Sequence, residues 1–432
     1  MSSRVITPES AWQDWLAAAS AKPFPEQRFR NVVVLAAHPD DETLGASGLV
    51  QRLHEQGAAV SLVVATDGEA AFPDAGQDER AELGRQRRRE LAESLRAQGL
   101  GTVAVHWLGL PDSGLAEHQE QLAQALTELL DGADLCLLPW PGDPHPDHQI
   151  VGEAGLRVAP VSAHRFAYPV WMWHWYQPSD HAIPRDHAVT HRLSDAQRSR
   201  KAAGIAAFAS QLKPGPRGEE PILPADMLSH FDRDTEVLFR QPPSAGAPIS
   251  RFVQLYERDD DPWQVSDRWY ERRKREILLA SLPREQYGVA VEPACGIGVL
   301  TRTLAARCDR VLAFDPAPNA VRRAHALTRD LLNVSVRTGA LPEDLPPGPV
   351  DLVVFSEILY YLGEEQLRDT IDRAVAALAP QGQLVAVHWL PWAPEAPMDG
   401  ERAHAILVSH PGLRVLVEHR DERFLSHVLA RR

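Results

Sequence analysis

Short apolar runs recur along the first half of the chain, each bounded by polar or turn-forming residues. Val32–Ala37, Val60–Ala65, Val103–Leu108 and Leu135–Leu138 are continuous rather than alternating, the pattern of strands covered on both faces. Between them, Thr43–Gln56, Asp78–Gln98 and Glu117–Leu130 repeat apolar residues at helical spacing. Strands alternating with helices predict a parallel, doubly wound sheet. Near residues 161–176 the texture turns aromatic, Lys213–Gly218 reads as a loop, and Gln241–Pro248 has linker composition. A second series follows Asp261-Pro262-Trp263. It opens with a helix over Trp269–Ser281, then strands at Val289–Glu292, Arg310–Phe314, Val334–Arg337, Leu352–Phe355 and Gln383–Val387. Arg414–Val417 and Phe424–Ala430 are candidates for two more strands. The expected fold class is α/β, with two Rossmann-like domains over residues 1–245 and 246–432, each a mainly parallel sheet flanked by helices.

Composition narrows the function. A formal net charge of -14 disfavours a nucleic-acid partner, whose phosphates would be repelled. The local run Arg85-Gln-Arg87-Arg88-Arg89 is interleaved with Glu82, Glu90 and Glu93, the pattern of a paired helix face. Three cysteines, Cys136, Cys295 and Cys308, form no CxxC pair and no disulfide framework. With no signal peptide in Met1–Pro8 and no long apolar run, the expectation is a cytoplasmic protein without a membrane span. Oligomeric state is not readable.

Two strings carry the strongest chemistry: Ala37-His38-Pro39-Asp40-Asp41-Glu42 and Pro144-His145-Pro146-Asp147-His148. Each follows a predicted buried strand, where open α/β sheets bind ligands. A catalytic zinc takes three protein ligands and leaves a position open. His38 and Asp41, three apart in a turn, can converge on one ion, and His148 can complete the set. Asp40 then remains as candidate general base. His145, with Asp147 two residues on, remains as candidate acid or oxyanion stabiliser. The run Trp171-Met172-Trp173-His174-Trp175 reads either as core or as a platform for a sugar face or acyl chain. His174 is expected to be non-catalytic.

These motifs resemble the PIG-L/LmbE-like deacetylases over roughly Asn31–Arg240. The resemblance implies a zinc ion, or another divalent metal, and removal of acyl groups from N-acetylglucosaminyl compounds. It implies His38, Asp41 and His148 as metal ligands, Asp40 as base and His145 as transition-state stabiliser. It also implies that Arg87 contacts substrate and that Asp112, in Leu108-Gly-Leu-Pro-Asp112, holds sugar hydroxyls.

In the second half, Ala290-Val-Glu292-Pro-Ala294-Cys-Gly296-Ile-Gly298 ends a strand and leads into a helix. Glycine there lets the backbone approach a ligand. Asp315, ending the next strand, is placed to accept from ribose hydroxyls, and it argues against NADP. The order resembles class I S-adenosylmethionine-dependent methyltransferases, with the NodS-like N-methyltransferases as the nearest branch, from roughly Asp261 onward. The resemblance rests on Trp269-Tyr270-Glu-Arg-Arg, on Ser356-Glu357-Ile-Leu-Tyr360-Tyr361-Leu and on Val387-His388-Trp389. It implies S-adenosylmethionine as cofactor, held by Glu292, Ala294, Gly296, Gly298, Asp315 and Ser356. Glu357 and His388 are candidates for the acceptor pocket. Alanine stands at position 294, where the family usually has glycine. Together the halves imply a small-molecule amino sugar or glycoconjugate that is N-deacetylated and then N-methylated on the freed amine. The alternative sends the methyl group to a hydroxyl or carboxyl elsewhere on a natural product.

Overall fold

The computed structural model describes residues 6–18, 22–243 and 246–432. Met1–Val5 and two residues of the linker run, Ser244 and Ala245, lie outside the described residues. The chain divides into two compact units, Met1–Gln241 and Pro242–Arg432. Among the described residues no helix is long and apolar enough to cross a membrane. All three cysteines are free and buried.

Among the described residues the first unit holds eight strands: β1 (Lys22–Pro23), β2 (Asn31–Ala36), β3 (Ala59–Thr66), β4 (Ala104–Leu110), β5 (Leu135–Pro139), β6 (His164–Tyr168), β7 (Ala188–Arg192) and β8 (Thr235–Arg240). They order as β1-β7-β8-β6-β5-β2-β3-β4. From β6 through β4 all neighbours are parallel, while β8 runs antiparallel to both β6 and β7. The central β2 and β5 are buried along nearly their whole length, as their unbroken apolar runs require. After β2 the chain adds strands on one side, then returns to add β5 on the other. The β2/β5 boundary is therefore a switch point, where the C-terminal strand ends leave a crevice.

Among its described residues the second unit holds seven strands: β9 (Tyr287–Pro293), β10 (Cys308–Asp315), β11 (Val334–Thr338), β12 (Val350–Ser356), β13 (Leu378–Trp389), β14 (Leu413–Arg420) and β15 (Phe424–Arg431). Their order is β11-β10-β9-β12-β13-β15-β14. The first five are parallel, and β15 is antiparallel to β13 and β14. The switch point here is β9/β12.

The predicted parallel strands and the helix Trp269–Ser281 are present. Four strands of the first unit went unread, the two-residue β1 among them. β6 lies inside the aromatic stretch, and β7 and β8 are too mixed in polarity to stand out. The helix Ile249–Arg258, which follows the linker run Gln241–Pro248, also went unread. Its apolar Ile249, Phe252, Val253 and Tyr256 repeat at helical spacing, a signal sufficient to find it. Residues 246–248 are ordered within the second unit, with Ala247 N donating to Tyr361 O at 2.7 Å. In the aromatic run Trp173 belongs to the core, edge-on to Trp12 at 5.0 Å. Trp171 and Trp175 stack on each other at 4.5 Å.

Candidate functional site

The turn after β2 folds onto the helix it starts. Asp41 opens the helix Asp41–Glu55, and its Oδ2 accepts from Ala37 N at 3.0 Å and His38 N at 2.8 Å. Asp40 takes φ 142°, a conformation that costs a non-glycine residue about 1–3 kcal/mol and concentrates at functional sites. The second motif follows β5. His145 caps the helix Pro146–Val158 through Nδ1, which accepts from Asp147 N at 3.3 Å, and Pro146 suits the first helical position. His148 then falls in the first turn, facing Asp41.

The Asp41 carboxylate lies between two imidazoles. Oδ1 is 3.1 Å from His148 Nε2 and Oδ2 is 3.6 Å from His38 Nδ1. Ring nitrogens of His38, His145 and His148 also lie within 4.8 Å of one another. His148 is fully buried, and neither of its ring nitrogens has an aligned hydrogen-bond partner among the described residues. Leaving buried polar atoms unsatisfied is costly; a cation in the crevice would satisfy Nε2, while Nδ1 lies against Asp143. The electrostatics agree. Burial opposes charge on His148, yet Asp41 and Asp143 push its pKa up to about 9. Burial likewise opposes charge on Asp41, yet His148 and His38 hold its carboxyl well below the usual range. Burial raises Asp40 to about 6 against the pull of Arg87. Burial, with the charges of His38 and His148, lowers His145 to about 3.

Three residues sit differently from expectation. Arg87 is 3% exposed and donates to Gly68 O, Pro39 O and Asp40 Oδ2 at 3.0, 2.9 and 3.0 Å. It braces Asp40 rather than facing an open site. Asp112 directs Oδ1 to His38 Nε2 at 3.2 Å and accepts from Ala70 N at 2.8 Å, so it serves a histidine. The Asp147 carboxylate also turns to His38 Nε2, at 3.3 Å, and accepts from Ser113 N. It does not face His145. One residue was missed. Asp143, fully buried, lies 3.3 Å from His148 Nδ1 and accepts from Val170 N and Met172 N. An aspartate just ahead of the second motif was the available signal.

In the second unit a cavity of about 450 Å³ opens at the C-terminal ends of β9, β10 and β12. Glu292, Ala294, Gly296, Asp315, Ser356 and Glu357 all line it. The turn after β9 needs positive φ at Ala294 (54°) and Gly296 (56°). A side chain on Gly296 would meet Tyr256 Oη at 2.8 Å. Gly298 is not on the wall. A Cβ there would come within 2.9 Å of Ala324, so it allows the helix Val299–Leu304 to pack against Pro318–Thr328. Asp315 accepts from Gly296 N and Ala317 N at 3.0 and 2.9 Å, and burial raises it to about 6. Glu292 is 2% exposed. Its Oε2 has no partner among the described residues, and burial raises it to about 8.

Glu357, at φ 56°, accepts from Lys274 Nζ, Tyr360 Oη and Trp389 N. Lys274 also pairs with Glu271 at 2.8 Å. Burial opposes ionisation of Glu357, but Lys274 outweighs it and keeps the carboxyl below its ordinary value. His388 does not line the cavity. It is fully buried behind the wall, and its Nε2 accepts from Leu359 N at 3.0 Å. The unpredicted helix Ile249–Arg258 contributes Phe252 and Tyr256 to the wall, beside Trp263.

Comparison with known proteins divides the chain in the same way. The family model "GlcNAc-PI de-N-acetylase" matches residues 33–159, and "Nodulation protein S (NodS)" matches residues 251–388. Nodulation protein S of Rhizobium tropici is 31% identical over 137 residues, 31% of this chain and 58% of that protein. A 1D-myo-inositol 2-acetamido-2-deoxy-alpha-D-glucopyranoside deacetylase of Saccharopolyspora erythraea is 41% identical over 95 residues, covering 19% of this chain and 33% of that one. Diacetylchitobiose deacetylase of Thermococcus kodakarensis is 29% identical over 138 residues, 31% and 51% of the two chains. The chain thus spans between a third and about three-fifths of the length of these relatives.

Proposed function

Since the chain joins a domain of the GlcNAc-PI de-N-acetylase family to one of the nodulation protein S family, we propose that it is a bifunctional enzyme. It hydrolyses the acetamide of an N-acetylglucosamine-type sugar or glycoconjugate and then methylates the freed amine. The observation carrying this reading is the Asp41 carboxylate set between His38 and His148, with neither ring nitrogen of His148 in an aligned hydrogen bond among the described residues. Two imidazoles and a carboxylate are a donor set that zinc takes readily.

His38, Asp41 and His148 would hold the metal. It supplies Lewis acidity that makes water a usable nucleophile at neutral pH and polarises the amide carbonyl. Asp40, braced by Arg87, takes the proton of the attacking water. His145 accepts a backbone proton at Nδ1, so in its neutral form its own proton sits on Nε2. From there it stabilises the oxyanion, while Asp40 hands the proton it took from water to the departing amine. Asp112 and Asp147 orient His38, and Asp143 orients His148.

An amide nitrogen is a poor nucleophile, whereas the hydrolysis product is an amine. S-adenosylmethionine supplies an electrophilic methyl group on sulfonium sulfur, and the protein's part is alignment. Glu292, whose open carboxyl oxygen suits a donor on the cofactor, would hold it with Asp315, Ser356 and the backbone at Ala294 and Gly296. Glu357 orients the acceptor amine. Free buried cysteines suit a reducing, cytoplasmic setting. The test is mass spectrometry of N-acetylglucosaminides incubated with the protein, zinc and S-adenosylmethionine. Acetyl loss followed by methyl gain on nitrogen supports the reading. Methyl on a hydroxyl or carboxyl redirects the second half.

A further inference from the structure

Three buried histidines stand in single file behind the methyl-transfer cavity. His388 on β13 is 0% exposed, His404 on the helix Gly400–Val408 is 1% and His427 on β15 is 7%. His388 Nδ1 lies 2.8 Å from His404 Nε2, and His404 Nδ1 lies 2.8 Å from His427 Nδ1. His427 Nε2 is 3.5 Å from Glu418 Oε2 on β14, whose side chain is exposed. The inner end is the Leu359 amide on His388 Nε2.

An amide N–H can only donate. His388 must therefore accept at Nε2 and carry its proton on Nδ1. That proton points at His404 Nε2, so His404 accepts there and carries its proton on Nδ1. His427 accepts in turn at Nδ1 and donates from Nε2 to Glu418. One backbone amide thus sets the tautomer of all three rings. A doubly protonated ring anywhere in the file would set donor against donor. Burial favours the neutral forms throughout, lowering His388 to about 4 and His404 and His427 below their ordinary value. The charged groups around the file are Glu357 and Lys274 at His388, Arg420 at His404, and Glu418 and Arg420 at His427.

Leu359 opens the turn Leu359–Tyr361. That turn carries Tyr360, whose hydroxyl donates to Glu357 and whose ring lies 5.2 Å from that of His388. We infer that His404 and His427 are positioning residues for the methyl acceptor, acting through His388 to hold the Leu359 amide and with it the Glu357–Tyr360 wall. The file also makes that wall acid-sensitive. A proton arriving at His427, the ring nearest solvent, reverses His404 and then His388. It ends with an Nε2–H facing the Leu359 N–H, and the hydrogen bond to the turn is lost.

The inference rests on the methyl-transfer reading of the cavity, which S-adenosylhomocysteine titration tests separately. Two measurements on the full chain decide the inference itself. Imidazole nitrogen NMR of histidine-labelled protein near neutral pH should show Nδ1–H for His388 and His404 and Nε2–H for His427. Any other pattern overturns it, whatever the acceptor. Kinetics with chitobiose as acceptor should then separate KM from kcat. His427→Leu should raise acceptor KM about five- to tenfold, the worth of one hydrogen bond, with S-adenosylhomocysteine affinity unchanged. His427→Asn, which keeps an acceptor for His404 but cannot titrate, should restore KM and hold it better than the native chain as pH falls into the acid range below the ordinary imidazole value. Equal damage in both variants, or none in either, would refute the positioning role. If His427→Leu fails to fold, the native tautomer pattern and His427→Asn still decide.

Discussion

The two units place their sites at the same topological feature, the switch point of a doubly wound sheet, yet build them from opposite materials. The first concentrates its chemistry in two strand-end turns, His38–Asp41 and His145–His148, crowded with carboxylates that hold imidazoles in place. The second spreads its chemistry over a cavity of about 450 Å³ whose lining runs from Phe252 to Arg423. A metal needs a few ligands of fixed type at fixed directions, so neighbouring residues on two turns suffice. A large cofactor and its acceptor need shape and a few hydrogen-bonding groups, and shape is assembled from distant parts of the chain.

The contrast breaks most easily at the first site. Asp40→Asn should cut deacetylation about 10²–10⁴-fold, as loss of a general base does, while S-adenosylhomocysteine affinity stays within error by calorimetry. A matching loss of cofactor affinity would mean that the two sites are not separable. Asp143→Asn should weaken zinc binding about 10–100-fold through misorientation of His148, read by competition with a chromophoric chelator.

At the second site the expected effects are smaller and concern stability. Glu292 is neutral in the fold at pH 7, with its pKa raised to about 8 by burial, and ionised when unfolded. The fold binds the extra proton, so this group's contribution falls as pH rises from about 4.5 to about 8. Glu292→Gln should therefore stabilise the second unit by roughly 2–3 kcal/mol at neutral pH and weaken S-adenosylhomocysteine binding. Urea unfolding checks this, with the relevant transition identified by its shift on adding that ligand. His388 acts in the opposite sense. Its folded pKa of about 4 lies below the unfolded value, so the unfolded chain binds more protons. Stability is then lost as pH falls from about 6.5 towards 4. Glu292 partly masks this slope in the native chain, and Glu292→Gln should expose it. Ala294→Gly relieves a left-handed alanine at φ 54°. The gain should be under about 1 kcal/mol, since glycine also loosens the unfolded chain.

The sequence was most readable where chemistry is local. His38, Asp41 and His148 could be named because each motif is contiguous and follows an apolar run. The roles of Arg87 and Asp112 were not readable in that way. Whether an arginine faces substrate or braces Asp40 depends on where the helix Gln77–Ala97 packs, which no spacing encodes. Gly298 and Gly296 look alike in the string, yet one clears a helix and the other a tyrosine. His388 stood beside a promising tryptophan, but strand alternation turns neighbours to opposite faces. Its partners, His404 and His427, lie on separate elements without a shared motif.

The central claim is that the first site makes the substrate of the second. The most direct measurement compares methylation of diacetylchitobiose and of chitobiose by the native chain and by Asp40→Asn. The account predicts that the native chain methylates both, and that the variant methylates chitobiose alone. Methylation of diacetylchitobiose by Asp40→Asn at the native rate would contradict it.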